Sequence, residues 1–198
     1  MKITTILGSP KEKGKTSQAL TLLEDKLTAL GHEAERIWIC RYTISGCSGC
    51  YACMASKNEP SCVQRDDAVS LFQRLVNSDA IIYAGPIYFF DFTAQFKAFL
   101  DRHYCLTVDF GTPDASSMLA GKKVALLITC MGQEEGNADL AQVIFDRSMN
   151  GIMKCNVMGK HVIALSETAD FVTRADAVAY KLVQEITTEN IEFRERER

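Results

Sequence analysis

A chain of 198 residues, 47% hydrophobic and 24% charged, has room for one domain with a buried sheet between two helical layers and little room for a second. Its formal net charge of -3 offers no broad attraction to nucleic acid or to an anionic membrane surface. No apolar run reaches the length of a membrane span, so neither nucleic acid nor membrane is an expected partner.

The chain opens with a strand-length, β-branched run at residues 2–7 and nothing resembling a cleavable leader before it, which predicts a cytoplasmic protein. Residues 16–30 predict a helix, with Leu20, Leu23, Leu27 and Leu30 at helical spacing and Gly31 as its stop. Further strands are predicted at 33–39, 80–84, 123–130 and 160–165, and further helices at 68–77, 94–102, 137–149 and 175–187. This βαβ succession defines an α/β class with a parallel sheet covered on both faces, and its five strands suit a flavodoxin-like three-layer sandwich of order 2-1-3-4-5, an order the succession alone does not fix. Residues 1–190 read as a single domain with a cysteine-rich insertion at about 44–66. Residues 191–198, alternating in charge, read as a solvated tail.

In such sheets ligands bind at the carboxyl ends of the strands, where strand order reverses. The loop after the first strand, from Gly8 to Ser17, carries glycines that admit an anion, and hydroxyls and helix-start amides that can donate to it. A phosphate site and a plain βα turn capped by Thr16 or Ser17 both fit that pattern. Although Gly14-Lys15-Thr16 ends like a nucleotide P-loop, Ser9 stands where the first glycine belongs, and no acidic residue closes the third or fourth strand to hold magnesium. The loop after the third strand carries Tyr88, Phe89, Phe90 and Phe92, flat surfaces for a ligand ring or a partner subunit.

Cys47, Cys50 and Cys53 form an overlapping CxxCxxC run, and Cys62 follows. Four thiols so close can converge on an iron–sulfur cubane, and they equally suit zinc, redox thiols or structural cysteine. Cys40, Cys105, Cys130 and Cys155 lack such spacing and read as small buried residues. His103, after Asp101-Arg102, reads as a charged imidazole at a helix end. No nucleophile with a matching base and third member is evident, so no catalytic side chain is predicted.

Gly8-Ser9-Pro10 with Gly14, Thr16 and Ser17, and Gly85-Pro86-Ile87-Tyr88 with Ala94-Gln95 and Phe99-Leu100-Asp101-Arg102, resemble the NAD(P)H-dependent FMN reductase family of flavodoxin-like proteins. The cysteine run followed by Asp66-Asp67 resembles its iron–sulfur flavoprotein branch, with one departure: eight residues separate Cys53 from Cys62, more than the branch usually has. Closing the longer loop costs little, about 0.6 kcal/mol per doubling of length.

The resemblance implies FMN, its phosphate against Ser9, Lys15, Thr16 and Ser17 and its ring edged by Pro86, Ile87, Tyr88 and Phe89. Thr129, Met131 and Gly132 would lie beneath or beside the isoalloxazine. It further implies NAD(P)H as reductant, and a quinone, a flavin, another small acceptor or a redox protein as the destination of the electrons. A homodimer or homotetramer with the flavin near a subunit interface is expected as well. An electron carrier holding FMN and a [4Fe-4S] cluster on Cys47, Cys50, Cys53 and Cys62 is the alternative, and a non-enzymatic zinc-binding or redox-sensing module stands behind it.

Overall fold

The computed structural model describes residues 1–188; the expected charged tail at 191–198 lies outside them. Five parallel strands run in the order β2 (Glu33–Trp38), β1 (Lys2–Leu7), β3 (Ala80–Tyr88), β7 (Lys123–Thr129) and β8 (Asn156–Ile163), which is 2-1-3-4-5 when parallel strands alone are counted. The short β4 (Asp91–Phe92) pairs antiparallel with the end of β3, and β5 (Thr107–Val108) with β6 (Ser116–Ser117) forms a separate ribbon.

The period-two alternation of the central strands divides their side chains between two cores. Ile3, Ala80, Ile82, Ala84, Ala125 and Leu127 face α1 (Lys15–Ala29) and α5 (Phe171–Thr187), where Leu20, Leu23, Leu27, Ala175, Ala179 and Leu182 meet them. Ile6, Ile81, Tyr83, Val124, Leu126 and Ile128 face the other way, onto α2 (Ala68–Val76), α3 (Ala94–Asp101) and α4 (Asp139–Asp146). Burial on both faces is why these strands read as continuous apolar runs. This is the flavodoxin-like fold.

Several boundaries differ from the sequence reading, and β8 starts at Asn156, four residues before the expected 160. β3 continues past Ala84 to Tyr88, because Ile87 and Tyr88 pair with Phe92 and Asp91 across a two-residue turn. Gly85 and Pro86, which read as loop residues, lie in register with Ile128 and Thr129 of β7. α4 ends at Asp146 and passes into a π-turn at Arg147–Ile152, and α5 starts at Phe171, a full turn before the expected residue 175. Among the described residues no helix is long and apolar enough to cross a membrane.

Candidate functional site

The carboxyl ends of β1, β3 and β7 open into one cleft of about 500 Å³. Its first wall is the loop into α1. Gly14 is the N-cap of that helix and offers no side-chain cap, while its carbonyl accepts the first helical bond, from the Gln18 N–H at 3.0 Å. Helix geometry therefore leaves the N–H groups of Lys15, Thr16 and Ser17 without an intrahelical partner, at the positive end of a 15-residue dipole. Lys11, Lys13 and Lys15 line the same end, so this wall suits an anion. The Lys15 ammonium rests 4.7 Å from the centre of the Phe171 ring, which ties the loop to α5.

Gly8 has a different task from the one expected of it. A Cβ there would stand 2.5 Å from the Phe96 ring, and one on Gly85 would stand 2.7 Å from the same ring. The two glycines make room for an aromatic ring of α3 between the ends of β1 and β3. Thr93 caps α3, accepting from the Phe96 N–H, while its own hydroxyl donates to the Gly8 carbonyl at 2.6 Å.

The second wall is the β3–β4 hairpin. Phe89 and Phe90 form its turn with φ of 51° and 67°, the left-handed signs of a type I′ turn, normally met by Asn-Gly. Two phenylalanines there cost of order 1–2 kcal/mol each, a strain that such turns do not ordinarily carry. Phe89 is 97% exposed and Phe90 60%, both at the rim of the cleft, while Phe92 turns inward onto Phe96.

The third wall follows β7. The Thr129 hydroxyl lies 2.6 Å from that of Thr16, joining this wall to the first. Gly132 sits against the Asn137 side chain, and its carbonyl accepts from the Leu165 N–H at 3.1 Å, while the Cys130 carbonyl accepts from Ser166 at 2.9 Å. Met131 is left 75% exposed at the opening.

Of the expected cofactor residues, the cleft brings together Ser9, Lys15 and Thr16 from the first wall, Pro86, Ile87, Tyr88 and Phe89 from the second, and Thr129, Met131 and Gly132 from the third. Ser17 is not among its lining residues: its hydroxyl accepts from Arg36 Nη1 at 3.0 Å, behind the loop. Lys11, Lys13, Asn137, Ser166 and Glu167 line it as well, unanticipated, and so does Phe90, expected as a flat surface for a ligand ring or a partner subunit. The two lysines were visible in sequence beside the phosphate loop, whereas Ser166 and Glu167 arrive only through β8.

The cysteine segment lies between β2 and α2. Cys47 and Cys50 are exposed, while Cys53 and Cys62 are half-buried against the core below α2 and α3. The Cys53 thiol donates to the Tyr104 carbonyl at 3.6 Å. Among the described residues no three histidine, cysteine or carboxylate side chains are gathered closely enough to hold a metal ion, so the four expected ligands are not brought together.

Beneath the segment lies a residue the site reading passed over. Arg102, at 1% exposure, donates to Asp66 through Nη1 at 2.7 Å and Nη2 at 3.0 Å, and through Nη1 also to the Ser45 carbonyl and the Gln64 side chain. Burial pulls the Asp66 carboxyl upward, but the Arg102 bonds and the Ser45 and Ala68 N–H groups outweigh it and hold the group below its usual range. Arg102 Nε is buried with no partner. Cys105 is buried close by, and burial pushes its pKa up to about 12. The described conformation leaves Cys47 and Cys50 outside, so the thiols as placed do not form a metal-holding set.

His103 is not the charged helix-end imidazole expected of it. It is fully enclosed, with Nε2 2.9 Å from the Tyr83 hydroxyl and Nδ1 3.0 Å from the Phe99 carbonyl, and burial pushes its pKa down to about 4.

A flavodoxin-like sheet whose strand ends hold an anion-suited helix start opposite an aromatic rim defines a class of nucleotide-binding α/β proteins. The profile of the family described as NADPH-dependent FMN reductase matches residues 1–170, and the chain belongs to that family. An iron–sulfur flavoprotein of Archaeoglobus fulgidus is 43% identical over 102 residues, covering 52% of this chain and 45% of the relative. The chain thus matches about half the length of that relative. Among solved structures, an NAD(P)H:quinone oxidoreductase from Methanothermobacter marburgensis superposes with a TM-score of 0.69 at 20% identity, covering 92% of this chain and 96% of that one. An FMN-dependent NADH-azoreductase from Bacillus anthracis, solved with FMN, gives 0.66 at 8% identity over 94% of this chain and 99% of that one. These two likenesses speak to the fold.

Proposed function

We propose that the protein is an FMN-dependent oxidoreductase that takes reducing equivalents from NAD(P)H and delivers them to a quinone, a flavin or another small acceptor. The observation that carries this is the single cleft in which an anion-suited helix start faces an aromatic rim across the strand ends. FMN, when bound, supplies the chemistry: it accepts hydride and returns electrons to an acceptor. The protein's own residues bind and orient. The N–H groups of Lys15, Thr16 and Ser17, the Thr16 hydroxyl and the lysine ammoniums suit the phosphate, while Pro86, Ile87, Tyr88 and Phe89 suit the edge of the ring and Thr129, Met131 and Gly132 its other side. Met131, Phe89 and Phe90 stand at the opening, where a second planar molecule would approach. Burial of the rim by a second copy of the chain in a homodimer or homotetramer is part of this reading, since an exposed aromatic rim is otherwise a liability. The deciding experiment is FMN titration of the purified protein followed by NADH or NADPH oxidation with benzoquinone as acceptor; protein that binds no FMN, or whose bound FMN neither nicotinamide reduces, overturns the reading.

A second reading adds an iron–sulfur centre on Cys47, Cys50, Cys53 and Cys62, making the protein an electron carrier. Its support is the buried Arg102 beneath the thiols and the likeness to a relative named for such a centre. Anaerobic reconstitution with iron and sulfide tests it: stoichiometric iron and sulfide beside bound FMN are expected, and flavin without either counts against it.

A further inference from the structure

The connection from β8 into α5 reaches the third wall of the cleft, where Ser166 and Glu167 are lining residues. Two of its N–H groups bracket Met131: Ser166 donates to the Cys130 carbonyl at 2.9 Å and Leu165 to the Gly132 carbonyl at 3.1 Å. Met131, between the two acceptors, stands exposed at the opening. The places of Met131 and Gly132 are therefore set from this connection as well as from β7. Both bonds depend on one residue, because the backbone torsions of Leu165 fix the angle between its own N–H and that of Ser166. Leu165 has φ of 49°, in the left-handed region that a residue with a Cβ rarely adopts.

Arg174 holds the connection in that state. Its Nη1 donates to the Ala164 carbonyl at 2.6 Å, its Nη2 to the Leu165 carbonyl at 3.0 Å and the Thr168 hydroxyl at 2.8 Å, and its Nε to Asp170 at 3.0 Å. The Thr168 N–H adds a bond to the Leu165 carbonyl at 3.1 Å. Every guanidinium nitrogen thus has an acceptor in the connection, and the Asp170 pair, with that carboxylate 63% exposed, is the least of them. Arg174 stands three residues after Phe171, near the positive end of the α5 dipole, where a cation is disfavoured. The carbonyl acceptors are what a guanidinium gains there, and a lysine ammonium cannot span them with a planar fork.

We propose that Arg174 is a positioning residue for the third wall of the flavin cleft: by gripping the Ala164 and Leu165 carbonyls it keeps Leu165 left-handed, and the Leu165 and Ser166 N–H groups then fix Met131 and Gly132. The proposal rests on the FMN reading above. Without the guanidinium, Leu165 relaxes towards negative φ and the two N–H groups no longer aim at both carbonyls. Glycine at position 165 occupies the left-handed region without a Cβ penalty, so it needs the grip less. The effect of losing Arg174 must therefore depend on which residue stands at 165.

The test uses the full chain as wild type, Arg174→Ala, Arg174→Lys, Leu165→Gly and the double variant of Arg174→Ala with Leu165→Gly. FMN affinity is read by flavin fluorescence titration, and amide hydrogen exchange at Leu165 and Ser166 is read in protein without FMN. Arg174→Ala is expected to weaken FMN binding roughly tenfold or more and to speed exchange at both amides. Arg174→Lys, which keeps the charge and loses the fork, stays close to Arg174→Ala. In the Leu165→Gly background the same loss of arginine is expected to cost several-fold less affinity. An equal cost in both backgrounds makes Arg174 a general prop of the fold and overturns the proposal, and so does an Arg174→Lys that matches wild type. If Arg174→Ala fails to fold, Arg174→Lys carries the same comparison across the two backgrounds. Wild type that binds no FMN overturns the FMN reading, and exchange then decides separately whether Arg174 sets the wall: equal protection of Leu165 and Ser166 in wild type and Arg174→Ala shows that it does not.

Discussion

The hydroxyls of Thr16, on the first turn of α1, and Thr129, at the end of β7, lie 2.6 Å apart and join two strand ends into one cleft floor. In a hydroxyl pair one oxygen donates and the other keeps its proton for a third partner, so a ligand phosphate there meets a donor already held in place. Thr16→Val is expected to weaken FMN binding by about 1.5–3 kcal/mol, the worth of a hydrogen bond to a charged group. Ser17→Ala, which disturbs only the Arg36 contact behind the loop, should change the affinity by less than about 0.5 kcal/mol. Flavin fluorescence titration reads both; the reverse order of effects would place the phosphate elsewhere.

Phe96 occupies the space that Gly8 and Gly85 leave open, 2.5 Å and 2.7 Å from where their Cβ atoms would stand. Gly8→Ala should destabilise the fold by about 1–3 kcal/mol through overpacking, and Phe96→Leu in the same chain should return part of that loss. Thermal denaturation of the single and double variants checks the coupling. Additive losses would mean that the contact is not the cause.

The turn at Phe89–Phe90 keeps two bulky residues where a glycine would sit without strain. Phe90→Gly is expected to raise unfolding stability by about 1 kcal/mol. Phe89→Asn with Phe90→Gly preserves the turn and removes both rings, and should weaken FMN binding or dissociate the oligomer, read by flavin titration and light scattering. A double variant that matches wild type in both measurements would leave the rings without a role.

Much of this arrangement was legible because it depends on local pattern. Apolar runs of strand length gave the parallel sheet, since Ile3, Ile82 and Leu127 sit on a sheet covered on both faces. The βα loop and the residues after β3 and β7 drew attention because strand ends are where such folds bind ligands. What stayed hidden depends on tertiary partners. Ser17 read as a phosphate donor because nothing in its neighbourhood announces Arg36, 19 residues away on the next strand. Gly85 and Pro86 read as loop residues because their pairing with β7 is long-range. Arg102 stood in the sequence only as the end of the Phe99-Leu100-Asp101-Arg102 motif, and only the fold shows Asp66, 36 residues earlier, closing on it.

His103 was misread for the same reason, and its burial yields a pH prediction of definite sign. The Phe99 carbonyl can only accept, so Nδ1 carries the proton and Nε2 accepts from the Tyr83 hydroxyl, whose pKa burial drives well above its usual value. The ring is neutral in the fold, with a pKa pushed down to about 4 from 6.5. Between those values the unfolded chain binds a proton that the folded one does not, so stability rises with pH there and is lost as pH falls from 6.5 towards 4. The full loss is about 3 kcal/mol. Asp66, held below its reference of 3.8, loses its contribution only at lower pH, so the two windows are distinct. Tyr83→Phe with His103→Leu removes both polar partners together and avoids leaving either unpaired. Urea denaturation at intervals across this range should show the steep decline of wild type flattened in the double variant. Parallel declines in the two proteins would mean that another group titrates in the window and that His103 does not govern it.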